Sequence, residues 1–192
     1  MTEIEQKILN GIKYFIKNTN NVGRTKLFKL LFFWDFLNFK RYGKSVTSYD
    51  YYTFPFGPVP KYLYDEIVED NLPDYLENNI VIIEKEREDE FNDYKAFDVK
   101  LKNTEINLDS LSKNELETLK EIAFIYKEAT ASEMTEITHL PNTPWEKTKR
   151  EKGYNQIIDY LLAIDDSSPF TLEEAQERLE LQKELMANGR LL

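Results

Sequence analysis

The sequence predicts a mainly α (α+β) protein, a helical domain around a central buried helix with a small antiparallel β-sheet or hairpin. Ten of the fourteen residues from Lys26 to Phe39 are apolar, and the four polar ones do not gather on one face. A helix without a polar face is typical of a central element packed on several sides. The segments 79–84 and 94–101 read as strands, the second with alternating apolar and polar residues, and they predict a hairpin.

The first sixty residues predict a helix, the central helix and an aromatic strand. Apolar residues recur every three or four positions from Ile4 to Ile16, which predicts a helix over about 3–17. Gly43 is expected to end the central helix. Tyr and Phe crowd residues 48–56, which predicts an extended strand, and Gly57-Pro58-Val59-Pro60 predicts a turn.

The remaining elements are predicted mainly from the residues that typically begin or end a helix. Proline at a first helical position predicts a helix over about 60–70, closed by Pro73. Four capping-box patterns, each a Ser or Thr followed three residues later by Glu, predict four helix starts, at Ser112, Thr130, Thr143 and Thr171. Residues 157–164 are apolar except for Asp159 and are expected to be buried, and a last helix is predicted over about 172–187.

We expect two parts along the chain. Residues 1–166 form the main domain, and residues 167–192 form an acidic C-terminal helix that either packs on it or extends from it. A chain of 192 residues is long enough to bury a substantial core without covalent staples.

The composition indicates a cytoplasmic protein. No cysteine is present, which fits a reducing compartment, and the N-terminus is polar and acidic, unlike a secretory signal. The apolar stretch 27–39 is interrupted by Lys29, Asp35 and Asn38, so no membrane span of about 20 apolar residues is expected.

The net charge of −10 is unevenly distributed along the chain. Residues 1–61 carry ten basic and four acidic side chains, whereas the rest carry 15 basic and 31 acidic ones. The two regions either pair internally or present opposite poles to different partners. The overall acidity argues against general nucleic-acid binding, which depends on clustered Lys and Arg, and favours a basic partner.

The residue inventory argues against an enzyme. With one His and no Cys, the usual groups for acid–base, nucleophilic and zinc chemistry are scarce, and no Gly-rich phosphate loop is present. The acidic cluster at 86–90 leaves a carboxylate metal site formally open, although a solvated hairpin is the simpler interpretation. We expect no cofactor and no metal.

Two ionisable residues stand in apolar surroundings. Asp35 lies inside the central helix, and burial without a partner would be costly, so Lys29, Arg41 or a tyrosine hydroxyl is expected to pair with it. His139, before Leu140-Pro141, is expected to cap or pack. Both roles are structural.

Two surfaces are candidates for binding. The basic residues Lys147, Lys149, Arg150 and Lys152 form a local patch, and the two short helices predicted from Thr130 to Lys152 would suit a helix-turn-helix DNA reader, although a solvated helix face is the simpler interpretation. The aromatic run around residues 49–64 supplies tyrosines of the kind found at binding hot spots. The expected partner-binding residues are Tyr49, Tyr51, Tyr52, Lys61, Tyr62 and Asp65.

Three strings, read in order, resemble the Panacea, or SocA-like, antitoxin domain family. They are TKLFKLLFFWDF from Thr25, YGKSVT from Tyr42 and FPFGPVP from Phe54. The family pattern is a lysine-spaced helix ending in an aromatic–Asp segment, a Gly turn, an extended piece and a Gly-Pro-Val turn. His139, Pro144-Trp145-Glu146-Lys147 and residues 157–160 resemble the second half, so the resemblance spans about 4–164. Phe28 departs from a commonly polar position, and the helix after Pro169 does not align.

The resemblance implies a non-enzymatic antitoxin that neutralises a cognate protein toxin by direct contact. The matched motifs identify a scaffold rather than a site. The alternatives are a DNA-binding transcriptional regulator and a proteolytic adaptor of similar helical architecture, and a carboxylate-based hydrolase is disfavoured. The scaffold residues are Lys26, Leu27, Lys29, Leu30, Leu31, Trp34, Asp35, Gly43, Gly57, Pro58, Val59, His139, Pro144 and Trp145.

The charge distribution suggests how such an antitoxin would act. We hypothesise that the acidic surface after Lys61, together with exposed tyrosines, covers a basic substrate-binding face of the toxin, with opposite charges steering the encounter. The sequence leaves toxin identity and oligomeric state open.

Overall fold

A computed structural model describes residues 1–85 and 96–188. The helices within these residues are α1 (Glu3–Asn18), α2 (Arg24–Tyr42), α3 (Lys61–Val68), α4 (Asp74–Glu77), α5 (Lys113–Ile125), α6 (Ala131–Thr138), α7 (Pro144–Lys152) and α8 (Leu172–Ala187). The strands are β1 (Tyr51–Phe54), β2 (Gly57–Pro60), β3 (Ile80–Glu84) and β4 (Phe97–Leu101), which form two antiparallel pairs. The predicted fold class, mainly α with a small antiparallel β component, is confirmed.

The central position of α2 is also confirmed. Twelve of its 19 residues are buried, and α1, α5, α6 and β2 pack around it. Its end follows from Gly43, which adopts φ 70° and donates its backbone N–H to the Phe39 carbonyl. This left-handed conformation is strained for residues with a Cβ, so glycine ends the helix there.

A glycine brings α1 and α2 close together. A Cβ at Gly11 would lie 2.3 Å from the Trp34 ring, so the indole of α2 occupies the space of a missing side chain on α1. Phe15 meets the same indole edge to face, with ring centroids 5.8 Å apart. The Trp34 Nε1–H donates to the Glu115 carbonyl at 3.0 Å, which ties α5 to this crossing.

The predicted turn over residues 57–60 is wrong. These residues form β2, which pairs antiparallel with β1 from Tyr51↔Pro60 to Phe54↔Gly57, and the turn falls at residues 55–56. Pro58 and Pro60 have no backbone N–H, but β2 pairs with β1 alone among the described strands, and proline is tolerated where the donor would face away from a ladder.

The hairpin of β3 and β4 is confirmed, with register from Ile80↔Leu101 to Glu84↔Phe97. The connecting acidic stretch 86–93, with the candidate metal cluster 86–90, lies outside the described residues. Pro73 follows α3, as predicted, but it also caps the short helix α4, which the sequence reasoning missed.

Three of the four predicted capping boxes are complete. Ser112, Thr130 and Thr171 each accept from the backbone N–H of a glutamate three residues later, whose carboxylate accepts from the cap N–H in return. At Thr143 only the first bond forms, because the Glu146 carboxylate accepts from Asn142 and Arg150 instead. A further complete box, Thr2 with Glu5, starts α1 and was overlooked although its sequence carries the same pattern.

The C-terminal helix packs on the core. Ala175 and Leu179 are buried, and the Gln182 side chain accepts from the Ser45 backbone N–H at 3.1 Å and donates to the Ser45 carbonyl at 3.0 Å. Residues 157–164 beneath it are less buried than expected. Ile158 is 1% exposed, whereas Ile157 is 48% exposed.

Candidate functional site

The Asp35 carboxylate is a fully buried polar group in the core. It is fully buried on α2 and accepts from the backbone N–H groups of Val46 at 2.7 Å and Thr47 at 2.8 Å. The Thr47 hydroxyl also donates to it, as does the Tyr51 hydroxyl at 2.7 Å. Burial raises the pKa of Asp35, while these hydrogen bonds oppose the rise.

Of the three expected partners of Asp35, only the tyrosine hydroxyl is correct. Lys29 donates to the Pro58 carbonyl, and Arg41 forms an ion pair with Glu121 on α5. The carboxylate therefore fixes the loop after α2 to the helix, and its acceptor sites are occupied by protein donors. This arrangement is structural.

Lys29 is a buried cation with little compensation. It is 0% exposed, its Nζ donates to the Pro58 carbonyl at 3.0 Å, and it makes no ion pair with any residue that the structure describes. Burial lowers the pKa of Lys29 to about 7. The neutral form of the amine therefore becomes accessible near neutral pH, unlike that of an exposed lysine.

The β1–β2 hairpin covers this lysine. Gly57 adopts φ 95°, and a Cβ there would lie 2.7 Å from both the Lys29 Cε and the Thr138 Oγ1. Both the backbone conformation and the lack of space therefore require glycine. The Gly-Pro-Val motif and the lysine-spaced helix form one contact, supplemented by α6.

His139 and Trp145 stack next to this contact. Their ring centroids are 3.8 Å apart at 16°, and the Trp145 Nε1–H donates to the Phe54 carbonyl at 3.2 Å. The His139 Nε2 is buried without a hydrogen-bond partner among the described residues. Burial and the positive charges of Lys29 and Lys149 lower the pKa of His139, so the imidazole is neutral near pH 7.

The other scaffold residues fill the core or join segments. Leu27, Leu30, Leu31, Trp34 and Val59 are buried. The Lys26 ammonium donates to the carbonyls of Asn20, Lys127 and Ala129, at 2.7, 3.2 and 2.6 Å, and so ties the start of α2 to the loop before α6. Pro144 takes the first position of α7.

The six expected partner-binding residues divide into two groups. Tyr49 and Tyr51 are buried, at 8% and 0% exposure, and belong to the core. Tyr52, Lys61, Tyr62 and Asp65 keep accessible surface, with Tyr62 55% exposed. Only this second group, which we call the Tyr62 face, can meet a partner without rearrangement of the core.

The basic and acidic regions of the chain pair with each other in part. Lys7 contacts Glu115 at 3.1 Å, Lys40 contacts Asp165 at 2.6 Å and Arg41 contacts Glu121 at 2.5 Å. Each pair joins the N-terminal third to a later segment. Internal pairing, one of the two outcomes left open by the sequence, therefore accounts for part of the N-terminal positive charge.

Unpaired acidic residues remain on α8. The glutamates 173, 177, 180 and 184 are spaced three or four residues apart and exposed, opposite the buried side of Ala175, Leu179 and Gln182. They make no ion pair with any described residue. We call these four glutamates the acidic stripe.

No group of three or more His, Cys, Asp or Glu side chains among the described residues could hold a metal ion. No helix in the described ranges is long and apolar enough to cross a membrane.

The arrangement defines a small α+β scaffold whose buried polar groups join segments of the chain. Comparison with known families identifies it further. The family model for the SocA-like antitoxin, Panacea domain, matches residues 27–146, more than half of the chain, and the chain belongs to this family. The match begins in α2 and ends in α7, and it includes Lys29, Asp35, Gly57, His139 and Trp145. No curated protein and no solved structure matches the chain.

Family membership supports a role in a toxin–antitoxin system and implies a protein toxin as partner. It also suggests a non-enzymatic role.

Proposed function

We propose that this protein is an antitoxin that neutralises a cognate toxin by direct, non-catalytic binding. The observation that carries this proposal is the family match over residues 27–146. The site geometry supports it, because the buried polar groups Asp35 and Lys29 are 0% exposed and their hydrogen bonds join segments of the chain.

The contact surface is proposed to include the Tyr62 face. Tyr62 stacks on the buried Tyr49 with centroids 6.3 Å apart, so an exposed ring is held in place by a core residue. Lys61 and Asp65 pair one helical turn apart beside it. A rigid aromatic ring with a polar rim is typical of binding hot spots.

The acidic stripe is proposed to guide the toxin to this protein. Its four exposed glutamates lie along one side of α8, and a basic substrate-binding face on the toxin would complement them. Charge complementarity mainly accelerates association, and salt weakens it.

The direct test is co-expression with the product of the neighbouring gene, with growth rescue and co-purification scored together. We expect rescue and a stable complex. If the neighbour is expressed and harmful alone, yet is neither rescued nor bound, that pairing is rejected.

Steering is tested by the association rate of the purified pair at two salt concentrations. The double variant E177K/E180K should associate at least several-fold more slowly at low salt, because two charges of the stripe are reversed. The control E105K/D109K reverses two exposed acidic residues elsewhere. Rates that are insensitive to salt and equal for both variants would reject steering.

A DNA-binding regulator and a proteolytic adaptor are the alternatives. The helix pair α6–α7 exists, and Lys147, Lys149 and Lys152 lie on α7, although Arg150 is paired with Glu146 at 2.7 Å. A gel shift of operator DNA at low salt would support the first alternative. Accelerated degradation of the toxin by a protease only in the presence of this protein would support the second.

A further inference from the structure

A small cleft opens between the start of α2, the β1–β2 turn and α3. Its volume is about 220 Å³, below the roughly 300 Å³ at which small-molecule pockets begin. This is space for a single side chain of a partner. Its lining includes Arg24, Phe28, Lys29, Phe54, Phe56 and Tyr64.

Aromatic rings form the walls of this cleft, which we call the Arg24 cleft. Tyr64 lies between Phe28 and Phe54, with ring centroids 6.3 and 5.2 Å away, and Phe56 is 56% exposed. These rings offer an apolar surface to the methylene groups of an entering side chain.

The charge of the cleft is positive. Arg24 holds its guanidinium 5.5 Å from the centroid of the Tyr64 ring and 4.3 Å from that of Phe97, and Lys29 lies buried against the lining. Neither forms an ion pair with a described residue, and no acidic side chain is among the described lining residues. A buried cation without a counter-charge is costly, and a carboxylate would supply one.

The N-terminus of α2 adds to the positive electrostatic potential of the cleft. The N-cap of α2 is Gly23, which provides no side-chain cap, and the first turn contains no acidic residue. A side chain at position 23 is excluded, since a Cβ would lie 2.5 Å from the Phe97 carbonyl oxygen. The α2 N-terminus contributes partial positive charge on this side of the cleft.

We propose that the Arg24 cleft receives one acidic side chain of the toxin, with its carboxylate on the Arg24 guanidinium, above Lys29, and its methylene groups against Tyr64 and Phe54. The identity of the partner as a toxin rests on the proposed function; the carboxylate preference rests on the cleft. A protein partner is favoured over a nucleic acid because the net charge of −10 repels a polyanion.

This contact complements the acidic stripe. The stripe attracts a basic face at long range, whereas the cleft selects one acidic residue at short range. An acidic surface of this protein would thus meet a basic face of the toxin, and a basic cleft would meet an acidic toxin residue. These two contacts together would fix the orientation of the complex and exclude partners that lack either feature.

The first experiment measures the affinity of the purified toxin for three variants of this protein. R24Q removes the cleft charge and should weaken binding at least tenfold, and R24E should weaken it further. K17Q removes an exposed charge at the end of α1 and should change nothing. Circular dichroism and thermal unfolding check that each variant is folded.

A double-mutant cycle identifies the toxin residue. Each Asp or Glu on the toxin surface is changed to its amide, and one such change should lose its effect in the R24Q background. If R24Q binds as tightly as K17Q while the wild type rescues growth, the cleft proposal is wrong and the antitoxin role stands.

A toxin-independent experiment separates the two proposals. The ¹⁵N-labelled protein is titrated with N-acetyl-glutamate-N-methylamide, and with the glutamine analogue as control. Saturable shifts at Arg24 and Gly57 with the first compound alone would support carboxylate recognition even if the co-expression test fails. Equal shifts with both compounds, or none, would overturn it.

Discussion

At the scale of single residues, two buried ionisable groups on α2 have opposite surroundings. Asp35 accepts hydrogen bonds from Val46, Thr47 and Tyr51, whereas Lys29 has the Pro58 carbonyl as its acceptor. A buried group that is satisfied stabilises the loop that satisfies it, and one that is poorly satisfied costs free energy. The two residues should therefore respond differently to substitution.

Removing the Asp35 carboxylate should be strongly destabilising. D35A leaves the Val46 and Thr47 N–H groups buried without an acceptor, and we expect the free energy of unfolding to fall by about 3–5 kcal/mol. D35N should cost less, because its amide oxygen keeps both N–H bonds and the hydroxyls of Thr47 and Tyr51 can rotate to accept. Urea denaturation followed by circular dichroism measures this.

The control for this pair is D50A, which removes an exposed carboxylate from the same loop region. It should change the free energy of unfolding by less than about 0.5 kcal/mol. Equal effects of D35A and D50A would contradict the structural role of Asp35.

Removing the Lys29 amine should change how stability depends on pH. The folded-state pKa of about 7 lies below the ordinary lysine pKa of 10.5, so between these values the unfolded chain binds more protons than the folded one. Lys29 therefore makes stability rise with pH above about 7, by at most about 1.4 kcal/mol per pH unit. Below pH 7 the destabilisation caused by burying the protonated Lys29 amine is fully present.

The variant K29M tests this sign. The free energy of unfolding of K29M, relative to that of the wild type, should be higher at pH 6 than at pH 9 by up to about 2.7 kcal/mol. Guanidinium denaturation at the two pH values gives the difference. The conservative K29R variant keeps a charge at all pH values and should be the least stable at pH 9. A pH-independent difference between K29M and the wild type would contradict the lowered pKa.

At the scale of elements, the crossing of α1 and α2 depends on Gly11. Glycine normally weakens a helix interior by about 1 kcal/mol relative to alanine. Here the missing side chain lets the Trp34 indole approach α1, and Trp34 in turn reaches α5 through Glu115. One small residue thus sets the spacing of three helices.

Gly11→Ala should therefore destabilise the protein, whereas the same change in an ordinary helix interior is stabilising. We expect G11A to lower the free energy of unfolding by about 1–3 kcal/mol, because a Cβ 2.3 Å from the indole forces a shift in a packed core. Thermal unfolding monitored by tryptophan fluorescence measures it. K17A, at an exposed position of α1, should be near neutral; a stabilising G11A would show that the crossing has room to relax.

At the scale of the whole molecule, the C-terminal helix is joined to the core by a few contacts. We propose that residues 1–166 are the folding unit and that 167–192 pack on it. Leu179 buries apolar surface, and Gln182 binds both backbone groups of Ser45. The family match ends at residue 146, before this helix.

A chain ending at Asp166 should therefore remain folded but be less stable. Loss of one buried leucine and of the Gln182 hydrogen bonds amounts to about 3 kcal/mol. We expect a single cooperative urea transition at lower midpoint, with Q182A giving a smaller decrease in the full chain. Non-cooperative unfolding of the truncated chain would reject the proposed division.

Features that depend on neighbouring residues were predictable. The all-round apolar pattern of α2, the three complete capping boxes and the β3–β4 hairpin follow from spacings within a few positions. The family resemblance was recognisable for the same reason, because each of its motifs is a short contiguous segment. An acidic C-terminal helix was also predicted, although the side on which its glutamates lie was not.

Contacts between distant residues were not predictable. Gly57 was assigned to a turn because its sequence is typical of one, whereas its place under α6 depends on Thr138. The partner of Asp35 was one of three candidates. Tyr49 and Tyr51 were expected at a partner surface because aromatic residues suit both surfaces and cores, and burial alone distinguishes these uses.

The sequence by itself determined the helical class, the central helix, the helix starts and the family, because local periodicity, capping chemistry and short motifs encode them. Only the tertiary structure decided which tyrosines are exposed, that Lys29 is buried without a described counter-charge, and that Arg24 lies over aromatic rings beside it. The physical reason is that these properties arise when segments far apart in the chain exclude water together, and no local pattern records which segments will meet.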